Sequence, residues 1–402
     1  MNQNFTTPAK IKTIFLALMA VGAILFAIGV LTGMGNASRI WTAVLYNSFF
    51  FLGISLIGLF FVAVHEIGFG GWMVSMKRIG EAMSTYIPIG GIFVLIAVIA
   101  GSHDIYHWTH KELYEVGSEK YDALLAGKTA YLNMPFFTVR SIIYVLLWSL
   151  IAFWFRRNSL NQDKEFNIAN YKKSKVISAI FLVVFAVTSS TAAWDWLMSI
   201  DPHWYSTLYG WYTFASIFVS GLCVIALITI TLKNYGYLKT VNKEHLHDLG
   251  KMIFGFSVFW TYLWFSQFML IWYANISEET LYYYDRFNGG YKALFFLVFI
   301  INFIFPFLTL ITRGAKRTFG WMSVACVVII IGHWLDFYVM TMPGAMSHAG
   351  GVEATGMSIF IELALASFFV GLFGFVTYRS LSKAPLLQTN HPFVQESILH
   401  HT

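Results

Sequence analysis

Apolar runs long enough to cross a bilayer recur along the chain at about 13–33, 41–64, 86–105, 136–155, 176–198, 207–231, 253–274, 291–311, 319–339 and 357–378, with short polar connections between them. A membrane span takes about 20 apolar residues, so ten spans use about half of the chain. Lipid offers a peptide group no hydrogen bond, and the alternating pattern of barrel strands is missing, so each run is expected to be helical. The expected fold class is all-α and polytopic, with about ten transmembrane helices. The first run follows Lys10 and Lys12. It is longer than a signal-peptide core and lacks an obvious A-x-A cleavage site, so it is expected to stay as the first span.

Two connections are longer than the rest, 106–135 and 156–175, and neither can make a core of its own. Within the first, 120–133 is expected to hold a short surface helix. In 70–86, Trp72, Met73, Met76 and Ile79 recur at helical spacing with Lys77 and Arg78 opposite, the pattern of an amphipathic helix lying in the membrane interface. In the eighth span Pro306 follows Asn302 by four residues, which predicts a kink and a carbonyl freed from its helical partner. That carbonyl either holds water in a proton path or marks a simple packing kink.

Composition narrows the class further. The 402 residues are 57% hydrophobic and 11% charged, against about 25% charged in an ordinary soluble domain, so a water-soluble globular protein is excluded and no room is left for a large soluble catalytic domain. The net charge of +6 comes from Lys and Arg in short loops, not from a basic stripe, which argues against nucleic acid. Of the 26 basic residues, 19 lie in the N-terminal tail, the even-numbered connections and the C-terminal tail. By the positive-inside rule both termini are expected on the cytoplasmic side. The opposite side collects Asp104, Glu112, Glu115, Glu119, Asp122, Asp201, Glu278, Glu279 and Asp285, and Trp41, Trp108, Trp204, Trp211 and Trp272 near span ends, where indoles anchor in the interface. Cys223 and Cys326, the two cysteines, both fall in apolar runs. There is no CxxC or CxxCH, so covalent haem c and iron–sulfur clusters are excluded from this chain, and no His/Cys spacing suggests a metal site.

An ionisable side chain in a span costs roughly 2.5–3.5 kcal/mol on insertion scales, so each needs a partner or a task. His65 and Glu66 lie at the cytoplasmic end of the second span, His103 and Asp104 at the outer end of the third, Asp195 in the fifth, His333 and Asp336 in the ninth, and Glu362 in the tenth. Gln267, beside Ser266, interrupts the seventh. The assigned orientation puts Asp195, His333, Asp336, Glu362 and His103 in the outer half, where they are expected to form one polar cluster. His333 and Asp336, three residues apart, share a helix face. A histidine beside a carboxylate can exchange protons near neutral pH, which makes all nine residues proton-path candidates. The alternative for each is an interface residue or a satisfied packing contact.

Three strings are more specific than any short motif: SSTAAWDWLMSIDPHWYSTLYGWY at 189–212, FWTYLWFSQFMLIWYANISEETLYYYDR at 259–286 and GHWLDFYVMTMPG at 332–344. Together they resemble the F subunit of bacterial alternative complex III, a quinol:cytochrome c oxidoreductase whose F subunit belongs with the polysulfide-reductase-like, NrfD-type membrane proteins. The resemblance implies two four-helix bundles, 41–204 and 205–344, flanked by 1–40 and by 345–402, in a bacterial inner membrane. It implies as partners a sister NrfD-like membrane subunit, an iron–sulfur protein, pentahaem and monohaem cytochrome c subunits, lipid, and a terminal cytochrome oxidase. Haem c and iron–sulfur clusters would then sit in those partners, quinone or quinol in the complex, and no redox cofactor in this chain. Quinol oxidation releases protons with its electrons, which is where the outer acids and histidines would serve. Two alternatives stay open: a quinone-interacting anchor of a polysulfide or molybdenum reductase, and a proton-coupled secondary transporter.

Overall fold

The computed structural model describes residues 5–287, 290–349 and 359–401. Among these, ten helices are long and apolar enough to cross a membrane: α1 Ala9–Leu31, α2 Ala37–Ile67, α3 Lys77–Ala100, α4 Met134–Gln162, α5 Ile168–Ile200, α6 Leu208–Asn234, α7 Lys243–Ala274, α8 Tyr291–Leu310, α9 Phe319–His348 and α10 Ile359–Leu381. No strand occurs among the described residues. The expected start of the tenth span at 357 lies outside them. The chain is a multi-pass, all-helical membrane protein.

Local chemistry sets where several helices begin. Asn36, Asn133, Asn167 and Asn242 each accept a hydrogen bond from a backbone N–H of the following turn, which satisfies one of the donors that a helix start leaves open. Proline sets the irregularities. Pro88 opens the second part of α3 after a break at Thr85 and Tyr86, and the expected distortion ahead of Pro306 takes the form of a π-helical turn, Ile300–Ile304. Asp122 caps the short outer helix Ala123–Gly127, inside the segment where one is expected.

Packing centres on α2, which touches α3, α5, α6, α9 and α10. Helix α4 packs on α3 and α5, α8 packs on α7 and α9, and α6 packs on α5, α7 and α9. Helix α1 lies along α10. Where α2 and α3 cross, a Cβ on Gly58 would stand 2.8 Å from the carbonyl of Gly80, so glycine lets the two backbones touch.

The segment 70–86 departs from the expectation of an interfacial helix. It forms the turn Gly71–Ser75 and then the start of α3, where every residue from Lys77 to Ser84 is buried. Lys77 Nζ reaches Glu66 at 2.5 Å, with both side chains fully buried. Arg78 bonds Glu81 at 2.6 Å and also pairs with Asp163. Glu81 further accepts from Arg156 at 2.9 Å and from the Ser159 hydroxyl at 2.5 Å. The polar face that looked ready for water is turned onto buried acids. Among the indoles, Trp211 and Trp272 are exposed as anchors should be, whereas Trp108 and Trp204 are buried.

The 382–401 tail folds back over this end of the molecule. Gln388 donates to the Ser159 carbonyl at 3.2 Å, His391 Nε2 lies 3.3 Å from Glu66, Ser397 donates to the Trp72 carbonyl at 2.8 Å, and His400 Nε2 sits 2.7 Å from Asp248 on α7. Removing one partner from a buried ion pair costs about 3–5 kcal/mol, because the other charge is left unpaired. Lys77→Met is therefore expected to destabilise the protein by that amount in an SDS-unfolding titration in mild detergent, while the double variant Lys77→Met/Glu66→Leu regains most of the loss. Equal stability of wild type and the single variant would show that the pair contributes nothing.

Candidate functional site

The intramembrane acids do not gather into one cluster. Asp195 on α5 is gripped by Arg140 of α4, through Nε at 3.0 Å and Nη2 at 2.9 Å, and accepts a third bond from the Tyr144 hydroxyl at 3.0 Å. The Arg140 guanidinium also lies over the rings of Tyr131, at 4.0 Å, and Phe136, at 4.2 Å. Glu362 on α10 is paired with Arg39 at the start of α2, at 2.6 Å. Span depth places residues at one level but says nothing about which way each helix turns them, and these two acids turn toward different arginines. His65 Nδ1–H donates to its own helix's Phe61 carbonyl, 2.7 Å away, and the ring packs on Trp72, apart from the partners of Glu66.

Asp336 and His333 do come together, as their spacing on α9 requires. Asp336 is fully buried and takes three uncharged donors: the Tyr212 hydroxyl, the Trp260 indole N–H at 3.0 Å and the Ser216 hydroxyl at 3.0 Å. Ser216 Oγ also lies 3.0 Å from His333 Nδ1. A hydroxyl has one hydrogen, so if Ser216 donates to Asp336 it must accept from His333, which puts the imidazole proton on Nδ1. His333, Ser216 and Asp336 then form one hydrogen-bonded file across α6 and α9. The remaining ring nitrogen, Nε2, is buried and has no protein partner among the described residues. Helix α8 supplies a second such group beside it: Asn302 is fully buried, both atoms of its amide lack a partner, and its oxygen fills the place a Cβ on Gly332 would take.

On its other side Asp336 borders a narrow cleft of about 20 Å³, shared with Gln267, Tyr282, Tyr283 and Arg286. One water needs roughly 10–15 Å³, so the cleft holds about one. Gln267 thus joins Asp336, and it accepts from the Ser206 hydroxyl at 3.4 Å. Arg286, from the short helix Ser277–Phe287, reaches into α9. Its Nε donates to the Val339 carbonyl at 3.0 Å and its Nη2 to the Met340 carbonyl at 2.7 Å. The first of these is the carbonyl that Pro343, four residues on, cannot serve. The guanidinium is stacked 3.2 Å over the Tyr282 ring and stands 3.8 Å from Asp201.

From Asp201 a line of histidines continues to the loops at this end of the helices. His348 Nε2 is 3.5 Å from Asp201, and its ring is stacked on His107 at 5.1 Å. His107 lies 5.5 Å from His110, which stacks on His103 at 4.2 Å. His203 pairs with Asp122 in the same region, and Asp104 sits next to His103 in the turn Ser102–Ile105. His103 therefore belongs to an outer file, not to a cluster with Asp195 and Glu362. Sequence inspection assigns no site role to Tyr212, Ser216, Trp260, Arg286, His107 or His348, and reads Asp201 only as a loop acid. The legible signals among these were Pro343, which announces a freed carbonyl, and the density of His and Asp in the outer connections.

Comparison of the sequence with protein-family models and with curated proteins finds no match.

The outer file is sensitive to pH. Burial, together with the imidazoles of His348, His110 and His203, pushes His107 down to about 4, against the pull of Asp122. A free histidine takes a proton near pH 6.5, and the packed one does so only near 4. The packing of this turn is thus fully present at neutral pH and is lost progressively as pH falls from about 6.5 toward 4. Hydrogen exchange in 102–113, corrected for intrinsic rates, is expected to quicken between pH 7 and 5 in the wild type and to lose this dependence in His107→Gln. Protection independent of pH in the wild type would refute the assignment.

Proposed function

We propose that this chain is an integral membrane subunit of a respiratory quinol:cytochrome c oxidoreductase of the alternative complex III type, placed in a bacterial inner membrane with both termini in the cytoplasm. In this role it supports quinol oxidation, conducts the released protons, and docks the redox subunits on the outer side. The helix contacts support two four-helix bundles, α2 to α5 and α6 to α9, flanked by α1 and α10. The sister membrane subunit, the iron–sulfur protein and the cytochrome c subunits would carry the electrons.

The observation that carries the proton role is the continuity from His333 through Ser216 to Asp336, across a cleft sized for one water, to Arg286, Asp201 and the outer histidines. A proton arriving at Asp336 can pass to the cleft water, and Asp201 and His348 are the next acceptors outward. Arg286 keeps the positive charge between them fixed, and its position follows from the carbonyl that Pro343 frees. Quinol oxidation that delivers electrons to carriers outside the membrane needs proton acceptors on that same side.

Two measurements test this. The protein purified from native membranes in mild detergent is expected to bring haem c polypeptides with it; a chain that purifies alone and takes up a solute would overturn the respiratory role in favour of transport. In the assembled complex, Asp336→Asn is expected to lower proton release or quinol:cytochrome c turnover on the order of a hundredfold, the lower end of what a positioned proton-transfer group contributes. Asp195→Asn, whose carboxylate is held by Arg140, is expected to affect stability more than turnover. Unchanged turnover and proton release in an assembled Asp336→Asn complex would make Asp336 structural.

A further inference from the structure

At the C-terminal end of α10 the structure has a basic crevice of about 610 Å³ between the N-terminal segment, α1 and α10. Its polar lining is Lys12, Arg379, Thr6, Thr7 and Ser382, with no carboxylate among the lining residues. The walls are built. Thr7 Oγ1 is 2.6 Å from Ser382 Oγ, Phe5 packs edge-on to Tyr237, and Phe15 packs against Tyr378. A second crevice of about 500 Å³ runs round the other side of α10, sharing Phe375 and Arg379 and adding Lys383 and Arg156, again without a carboxylate. Arg156 is engaged by Glu81. Lys12, Arg379 and Lys383 are exposed and have no ion-pair partner among the described residues.

Lys12 and Arg379 meet in the first crevice and Arg379 and Lys383 in the second, around the C-terminal end of α10. The exposed hydroxyl of Thr6 stands beside the cations, while those of Thr7 and Ser382 are bound to each other and to the Tyr378 carbonyl. Below the rim, Phe15 and Phe375 give way to the apolar sides of α1 and α10, and the outward residues Ile14 and Leu16 of α1 are exposed. Unpaired cations at the polar level and apolar walls continuing into the membrane match one chemical object, an anionic phospholipid. We propose that the crevice between α1 and α10 is a specific binding site for an anionic phospholipid, with the phosphodiester held by Lys12 and Arg379 and an acyl chain lying along Phe15 and Phe375. The lipid would hold the N-terminal segment and α1 against α10.

The test uses the full-length protein in mild detergent. Native mass spectrometry with lipid extraction is expected to find phosphatidylglycerol or cardiolipin retained by the wild type. Binding in Lys12→Gln/Arg379→Gln is expected to be roughly twentyfold weaker, the attraction of two interfacial cations. The control Lys164→Gln/Lys172→Gln, which removes two exposed cations at the same end but outside both crevices, should retain lipid like the wild type. After delipidation, phosphatidylglycerol micelles should raise the melting temperature, whereas phosphatidylcholine and inorganic phosphate should not. Equal retention by the crevice variant, equal loss in the control, or an equal rise with phosphatidylcholine overturns the site. A rise with inorganic phosphate alone would make it an anion site and not a lipid site.

Discussion

A bilayer returns no hydrogen bonds, so a charge inside it must be answered by the protein itself, and that constraint organises this molecule. Arg39 and Glu362 join α2 to α10, Arg140 and Asp195 join α4 to α5, and Lys77 and Glu66 join α2 to α3. Glu81, held by Arg78 and Arg156, ties α3 to α4. Helices in lipid gain little from burying apolar surface against one another, since the tails are equally apolar. Directional pairs that are costly to break can then decide which helix sits beside which. They also explain how a chain so poor in charge still buries many of its charges.

Asp336 stands apart under the same constraint. Asp195 and Glu362 each face a guanidinium, and those pairs join helices. The direct partners of Asp336 are a phenol, an indole and a hydroxyl, and the hydroxyl touches a histidine as well. Of its donors, Trp260 can only give a hydrogen, whereas Ser216 and Tyr212 can both give and accept. That difference gives a proton two ways on from the carboxyl group and none through the indole. For the proposed role, Trp260 would fix the orientation of the carboxyl group while the two hydroxyls carry the exchange.

The ten helices were legible because the physics of a span is local: about 20 apolar residues in a row suffice. The pairing of charges was not, because it depends on which way each helix is turned. Arg39 and Glu362 meet across 323 positions of sequence, and nothing near either residue announces the other. The segment 70–86 shows a second limit. An amphipathic pattern records that one face is polar, not whether water or buried carboxylates will meet it, and here Glu66, Glu81 and Asp163 take the place of water. Only the His333 and Asp336 part of the candidate site was readable in full, since three residues on one helix fix a shared face. Their contact with Ser216 and Trp260 needed the packing of α6 and α7.

The two ends of the molecule are closed in different ways, and this bears on what kind of proton movement the proposed role permits. Outward from Asp336 the groups are a water-sized cleft and partly exposed histidines. At the opposite end the acids Glu66 and Glu81 are bound by Lys77, Arg78 and Arg156, and the tail lies over them through Gln388 and His391. Burial pushes the His391 imidazole down, with the Glu66 bond pulling the other way. A group so placed resists taking a proton at neutral pH, and it keeps the tail seated. Release of protons to the outer side needs only Asp336 and the file beyond it. For the proposed role, translocation from one side to the other would need the tail to part from Glu66 and the ion pairs beneath it to exchange partners.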